Sequence, residues 1–162
     1  MDWHTRRGIT RTDNLLMLLT IHDIRQREDF DCGSAAVDSL CAFHGVRQRG
    51  PVKLANRIDG MAPDTVAAVL RALGFRVLSG PMVGGISDLQ HFTRAGLPVL
   101  CPITVAAGGH WVIVRGVERA RVYYQCPTNG PVSMSAAKWM DGWRDTSASG
   151  HEFDRWGIVA AK

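Results

Sequence analysis

Gln26-Arg-Glu-Asp-Phe-Asp-Cys32-Gly-Ser-Ala-Ala-Val37 places two acidic residues, Asp29 and Asp31, directly before a thiol, then small residues, then an apolar run. Asp31 reads as a helix N-cap, because its carboxylate can accept from the free N–H groups of a first turn. Cys32 then opens the helix at the positive end of its dipole, a position that favours the thiolate, the nucleophilic form of cysteine. Gly33, Ser34, Ala35 and Ala36 leave room above the sulfur for a substrate. Val37, Leu40, Cys41 and His44 recur at i, i+3, i+4 and i+7, so one face packs and the helix runs over 32–44 to a stop at Gly45. From this stretch alone, a core cysteine on an ordinary helix is the plain alternative.

The 162 residues around it are most simply one domain, 1–162, with enough chain to build a core without staples. Hydrophobic residues make up 46% and charged residues 21%, the balance of an ordinary globular protein. The net charge of +4 comes almost wholly from arginine, which is scattered. No basic run with interleaved aromatics appears, so a solvated basic surface is expected and no nucleic-acid partner. The four cysteines (32, 41, 101 and 126) show no Cys-x-x-Cys pairing, and Cys41 and Cys101 sit in apolar segments, which argues against a disulfide framework. Leu15–Leu19 is too short for a membrane span and no cleavage site follows it, so the expected location is cytoplasmic.

Along the chain, residues 1–13 are polar and Arg-rich without periodicity, which predicts a loose N-terminal arm. Residues 14–24 fit either a short helix or a strand. Further helices are predicted from Pro51 to Gly60, from Ala62 to Leu73 and from Ile86 to Ala95, with a short strand at Phe75–Leu78. The character then changes to β-rich runs at Leu97–Val105, Trp111–Val117 and Val122–Gln125, a last helix from Ser133 or Ser135 to Trp143, and a strand at Arg155–Ala161. Helices first and an antiparallel sheet after them give an α+β layout.

A cysteine nucleophile needs a general base, a group to orient that base, and donors for the developing oxyanion. Of the six histidines, His110 stands out, because Gly108-Gly109-His110-Trp111 opens an apolar strand and fixes the direction of the ring. Sixteen residues later, Tyr123-Tyr-Gln-Cys126-Pro-Thr-Asn-Gly130 ends a strand in a turn. If these two strands pair through the Glu118–Arg121 turn, the side chain at 126 falls beside His110. Trp3, Trp139, Trp143 and Trp156 could line a cleft, although aromatics at such spacing are more often core.

With Gln26, Asp31-Cys32-Gly33, Gly74-Phe75, Gly96-Leu97-Pro98-Val99-Leu100, His110-Trp-Val-Ile-Val and Ala136 to Trp143 in this order, the chain resembles the C39-type peptidase domains over residues 22–161. These are papain-like cysteine peptidases found on peptide-exporting transporters. The resemblance implies a papain-like fold with N-terminal helices packed on an antiparallel sheet. It implies Cys32 as nucleophile, His110 as general base and Gln26, with the Cys32 backbone N–H, as oxyanion donor. Where the family has the Asp of an Asp-Pro turn, this chain has Cys126-Pro127. A carboxylate there holds the imidazole tautomer and steadies the imidazolium, and a neutral thiol is a weaker acceptor.

Three readings follow. The first is a peptidase cutting a peptide or protein substrate, with small residues such as Gly-Gly before the bond as the resemblance implies. The second is a weakened or inactive module that binds peptides or serves a larger assembly. The third is a Cys32, His110 and Cys126 zinc site, or a reversible Cys32–Cys126 disulfide. The first two require no cofactor.

Overall fold

The computed structural model describes residues 9–12, 16–28, 31–46, 61–106, 108–147 and 149–162. The helix expected between Pro51 and Gly60, and Trp3, lie outside them. The chain enters through a small hairpin of β1 (Ile9–Thr12) and β2 (Leu16–Leu19), followed by α1 (Cys32–Phe43) and α2 (Pro63–Ala72). Next come β3 (Arg76–Pro81), α3 (Ile86–Arg94), β4 (Val99–Val105), β5 (Gly108–Glu118) and β6 (Arg121–Cys126). β7 (Gly130–Ser135), α4 (Ala136–Gly142), a hairpin of β8 (Arg144–Thr146) and β9 (Glu152–Asp154), and β10 (Trp156–Ala161) complete the order. Six strands form one sheet in the order β3-β10-β4-β5-β6-β7, and every pairing in it is antiparallel. This is the α+β class that the sequence implied.

Both faces of the sheet are covered, which explains why the β5 run Trp111-Val-Ile-Val114 is apolar at every position rather than at every second one. Trp111 and Ile113 join Val37, Leu40, Val66 and Leu70 of α1 and α2 in one core. Val112 and Val114 join Leu89, Trp139 and Trp143 from the α3 and α4 side in another. Each aliphatic side chain buried in this way contributes ~1.5–3 kcal/mol against leaving it in water. The sheet is therefore a rigid partition, and the ends of β5 and β6 are fixed by cores on two sides.

Several expectations change. Residues 9–12, expected within a loose arm, pair with Leu16–Leu19 as β1, and the ambiguous stretch 14–24 contains the strand β2. The reason is tertiary: β5 bulges between Val114 and Gly116, and the chain at Met17–Leu18 lies directly on Gly116. A Cβ there would come within 2.6 Å of a Leu18 methyl and 3.1 Å of the Met17 carbonyl oxygen. Of the two starts expected for the last helix, Ser135 is the one observed: residues 130–135 form the edge strand β7, and Ser135 caps α4 by accepting from the Lys138 N–H at 3.2 Å. Trp139 and Trp143 are fully buried, and Trp143 Nε1 donates to the Trp156 carbonyl at 2.9 Å, so these two rings are core rather than cleft lining.

Candidate active site

Cys32 is the first residue of α1 and is 6% exposed. Asp31 occupies the N-cap position as expected, but its side chain makes no capping hydrogen bond. Its carbonyl oxygen instead accepts from the Ala35 N–H at 2.9 Å, closing the first turn. The small residues after the thiol accommodate the entry to α2: Gly33 faces Met61, whose Cβ and Sδ would lie 3.1 Å from an added Cβ. Met61 is held in turn by Trp111 Nε1, which donates to its carbonyl at 2.7 Å. The Cys32 end of α1 is thereby referenced to β5, the strand that begins two residues before His110.

Antiparallel register then does what the sequence suggested. Ile113 pairs with Gln125, so Val112 falls across from Cys126, and His110, two residues earlier, shares that face. His110 Nε2 lies 3.2 Å from Cys126 Sγ. Partial burial of the ring works against a positive charge, but the thiols of Cys126 and Cys32, both in hydrogen-bonding contact with it, outweigh burial and raise the His110 pKa from 6.5 to about 9. The structure thus brings Cys32, His110 and Cys126 around one imidazole.

Cys126 is 4% exposed and opens the Pro127–Gly130 turn. Burial pushes its pKa up, yet the His110 ring and the backbone N–H groups of Asn129 and Thr128 pull further the other way, and the net direction is down. Gln26, the expected oxyanion donor, is tied to this same turn. Its backbone N–H donates to the Pro127 carbonyl at 3.0 Å, and its side-chain oxygen accepts from Thr128 Oγ1 at 3.1 Å. One N–H of its amide donates to the Glu28 carbonyl at 3.1 Å.

The sequence reading missed Asp23, Arg25 and Thr128. Asp23 and Arg25 stand two apart in an extended segment, so they share a side, and Arg25 Nε and Nη2 reach the two carboxylate oxygens at 2.6 and 3.0 Å. Arg25 Nη1 also donates to the Thr128 carbonyl at 2.8 Å. Gly130, with φ at +82°, lies against the guanidinium, where a Cβ would collide with Arg25 Nη2. The Asp-x-Arg spacing ahead of Gln26 was the available signal.

Solved structures with this arrangement of elements include three informative ones. The crystal structure of a double glycine motif protease from an AMS/PCAT transporter, in complex with the leader peptide, matches with a TM-score of 0.62 at 16% identity, covering 96% of this chain and 94% of that one. A C39-like peptidase from Bacillus anthracis matches with a TM-score of 0.67 at 15% identity, over 86% and 93% of the two chains. The fold is that of the C39 peptidase domains. The peptidase domain of Streptococcus mutans ComA agrees, with a TM-score of 0.54 at 18% identity over 86% and 98%. No protein-family model and no curated protein matches the chain.

Within this C39-type scaffold the zinc alternative finds no support. Among the described residues no group of three or more His, Cys, Asp or Glu side chains gathers to hold a metal ion. All four cysteines, 32, 41, 101 and 126, are free thiols. Among the described residues no helix is long and apolar enough to cross a membrane.

Proposed function

We propose that these residues form a cysteine peptidase domain in which Cys32 is the nucleophile, His110 the acid–base group, Gln26 an oxyanion donor and Cys126 the partner that orients His110. The observation that carries this reading is the convergence of a helix-first thiol and a strand-first imidazole whose Nε2 is already engaged by a third side chain. With Nε2 turned to Cys126, Nδ1 is the nitrogen left for Cys32. At neutral pH the ring is an imidazolium, since its pKa is raised to about 9. It then faces the Cys32 sulfur and can balance the negative charge of the nucleophilic form.

The thiolate attacks the substrate carbonyl carbon, and the carbonyl oxygen takes up the negative charge. The Cys32 N–H is one of the groups an α-helix leaves without an intrahelical acceptor, and it donates to that oxygen together with the second N–H of the Gln26 amide. The imidazolium gives its proton to the departing amine, leaving an acyl thioester and a neutral ring. That ring then takes a proton from water, the resulting hydroxide attacks the thioester, and the imidazolium–thiolate pair is restored. The base role of His110 thus falls on the second half of the cycle.

A double glycine motif protease of this fold has been solved in complex with a leader peptide, so a peptide is the substrate class proposed here and Gly-Gly peptides are the first to try. A fluorogenic Gly-Gly peptide should be cleaved by the native chain and not by Cys32→Ser. Alkylation of Cys32 at neutral pH no faster than that of an unfolded cysteine would overturn the activated-nucleophile reading. One observation favours the second reading, a peptide-binding module with little turnover: a thiol stands where the C39 pattern has a carboxylate. Cys126→Asp separates the two. A gain in cleavage supports the peptidase, and tight peptide binding without cleavage in either form supports the module.

A further inference from the structure

Apart from Gln26, the side chains that tie the turn after Cys126 to the segment before Cys32 take no part in the steps above, yet all of them form one connected clasp. Gln125, 2% exposed, points away from Cys126 by strand alternation, and its Nε2 donates to Asp23 Oδ1 at 2.6 Å. Asp23 holds Arg25 through both carboxylate oxygens, and Arg25 grips the Thr128 carbonyl and packs against Gly130. Thr128 in turn bonds Gln26, whose own N–H closes on Pro127. An exposed ion pair alone holds little. This one is anchored by a buried amide that would lose its partner without it.

We propose that Asp23 and Arg25 are positioning residues that clamp the Pro127–Gly130 turn, so that the N–H groups of Thr128 and Asn129 converge on the Cys126 sulfur and hold it as a thiolate against His110. Successive backbone N–H groups aimed into one concave turn make an anion seat. The occupant here is the side chain that starts the turn. The charged and titratable groups around it are His110 from β5, which also contacts Cys32 of α1, Arg25 of the entering segment, itself paired with Asp23, and Tyr124 on β6 itself. Burial opposes the thiolate, while His110 and the two amides favour it. A thiolate would give the imidazolium the anionic partner that a carboxylate supplies elsewhere, so position 126 keeps its charge while changing its element. The inference deepens the peptidase reading and rests on it.

The test uses the full chain carrying Cys32→Ser, so that the nucleophile contributes no signal. Ultraviolet thiolate absorbance against pH should show a thiol titrating below the ordinary cysteine range, lost when Cys126→Ala is added. Adding Arg25→Ala should move that midpoint up by about one pH unit or more, the scale of a lost charge-assisted partner. Asp23→Asn, nearly isosteric, should move it the same way and stands in if the arginine variant fails to fold. A Cys126 thiol titrating in the ordinary range, or a midpoint indifferent to both substitutions, would overturn the proposal. Because these readings need no turnover, they separate from the peptidase reading. A Cys126 thiolate in a chain whose Cys32 is unreactive sinks the peptidase alone, and a neutral Cys126 in an active enzyme sinks the clasp alone.

Discussion

Replacing Cys126 by alanine removes the group 3.2 Å from His110 Nε2 while leaving Cys32 in place. Folding raises the His110 pKa from 6.5 to about 9. That difference corresponds to about 3 kcal/mol of preference for the imidazolium. The ring is half-buried, and screening by solvent cuts the figure to about half. The two thiols share this against the opposing effect of burial. Cys126→Ala should therefore lower the His110 titration by about one pH unit. A group whose proton affinity is raised by folding stabilises the fold most below its ordinary 6.5 and loses that contribution as pH passes about 9. The variant should lose it at lower pH. The assay pairs the pH profile of kcat/KM on a fluorogenic peptide with an NMR titration of the His110 ring. The native alkaline limb should fall near 9. In the variant the limb should move down with the ring, and the neutral-pH rate should drop at least about tenfold as the imidazole loses its orientation. Cys126→Asp should hold the limb or raise it. An alanine variant with the native limb and the native rate would show that Cys126 does not steady the ring.

Other expectations are simpler to check. Gln26→Ala should cost about a hundred- to a thousand-fold in kcat with little change in KM, since an oxyanion donor acts on the transition state rather than on the bound peptide. An unchanged kcat removes Gln26 from the mechanism. Gly130→Ala forces a side chain onto φ +82° and into the Arg25 guanidinium. It should cost ~1–3 kcal/mol in urea unfolding together with a fall in activity, and an unaltered midpoint contradicts the close approach. The β5–β6 hairpin turns through Arg119 and Ala120 with φ of 50° and 58°, the left-handed pattern that glycine takes without strain. Ala120→Gly should therefore stabilise the chain by about 0.5–1 kcal/mol, read as a higher urea midpoint.

The pieces of the fold that could be read from the chain are those whose signals are local. Asp31 before Cys32 and Gly45 after His44 bracket α1, and Gly85 to Gly96 bracket α3, because caps and glycine stops act within a turn or two. The meeting of His110 and Cys126 followed from hairpin pairing, which needs only a short turn and alternation. What escaped depends on neighbours distant in sequence. β1 and β2 look like a polar arm and an apolar patch until Gly116 is seen to receive Leu18. β7 lies at the edge of the sheet with half-buried residues, so Pro131 and the serines of Gly130–Ser135 give no clean alternation. Asp23 and Arg25 resemble solvated surface charge, since nothing nearby in the chain announces that Thr128 and Gln125 complete them.

The strand order β3-β10-β4 has a consequence for biosynthesis. β10 is made after every other strand, yet it pairs with β3 on one edge and β4 on the other. A nascent chain can already carry Cys32, His110 and Cys126 while Trp156–Ala161 is still in the ribosome, and at that moment the sheet is split in two. The wall behind α1 and α2 includes Ile158 and Ala160, so it is incomplete until the ribosome releases that segment. Closure of the six-stranded sheet around the ends of β4 and β5 is thereby deferred until Trp156–Ala161 has been made.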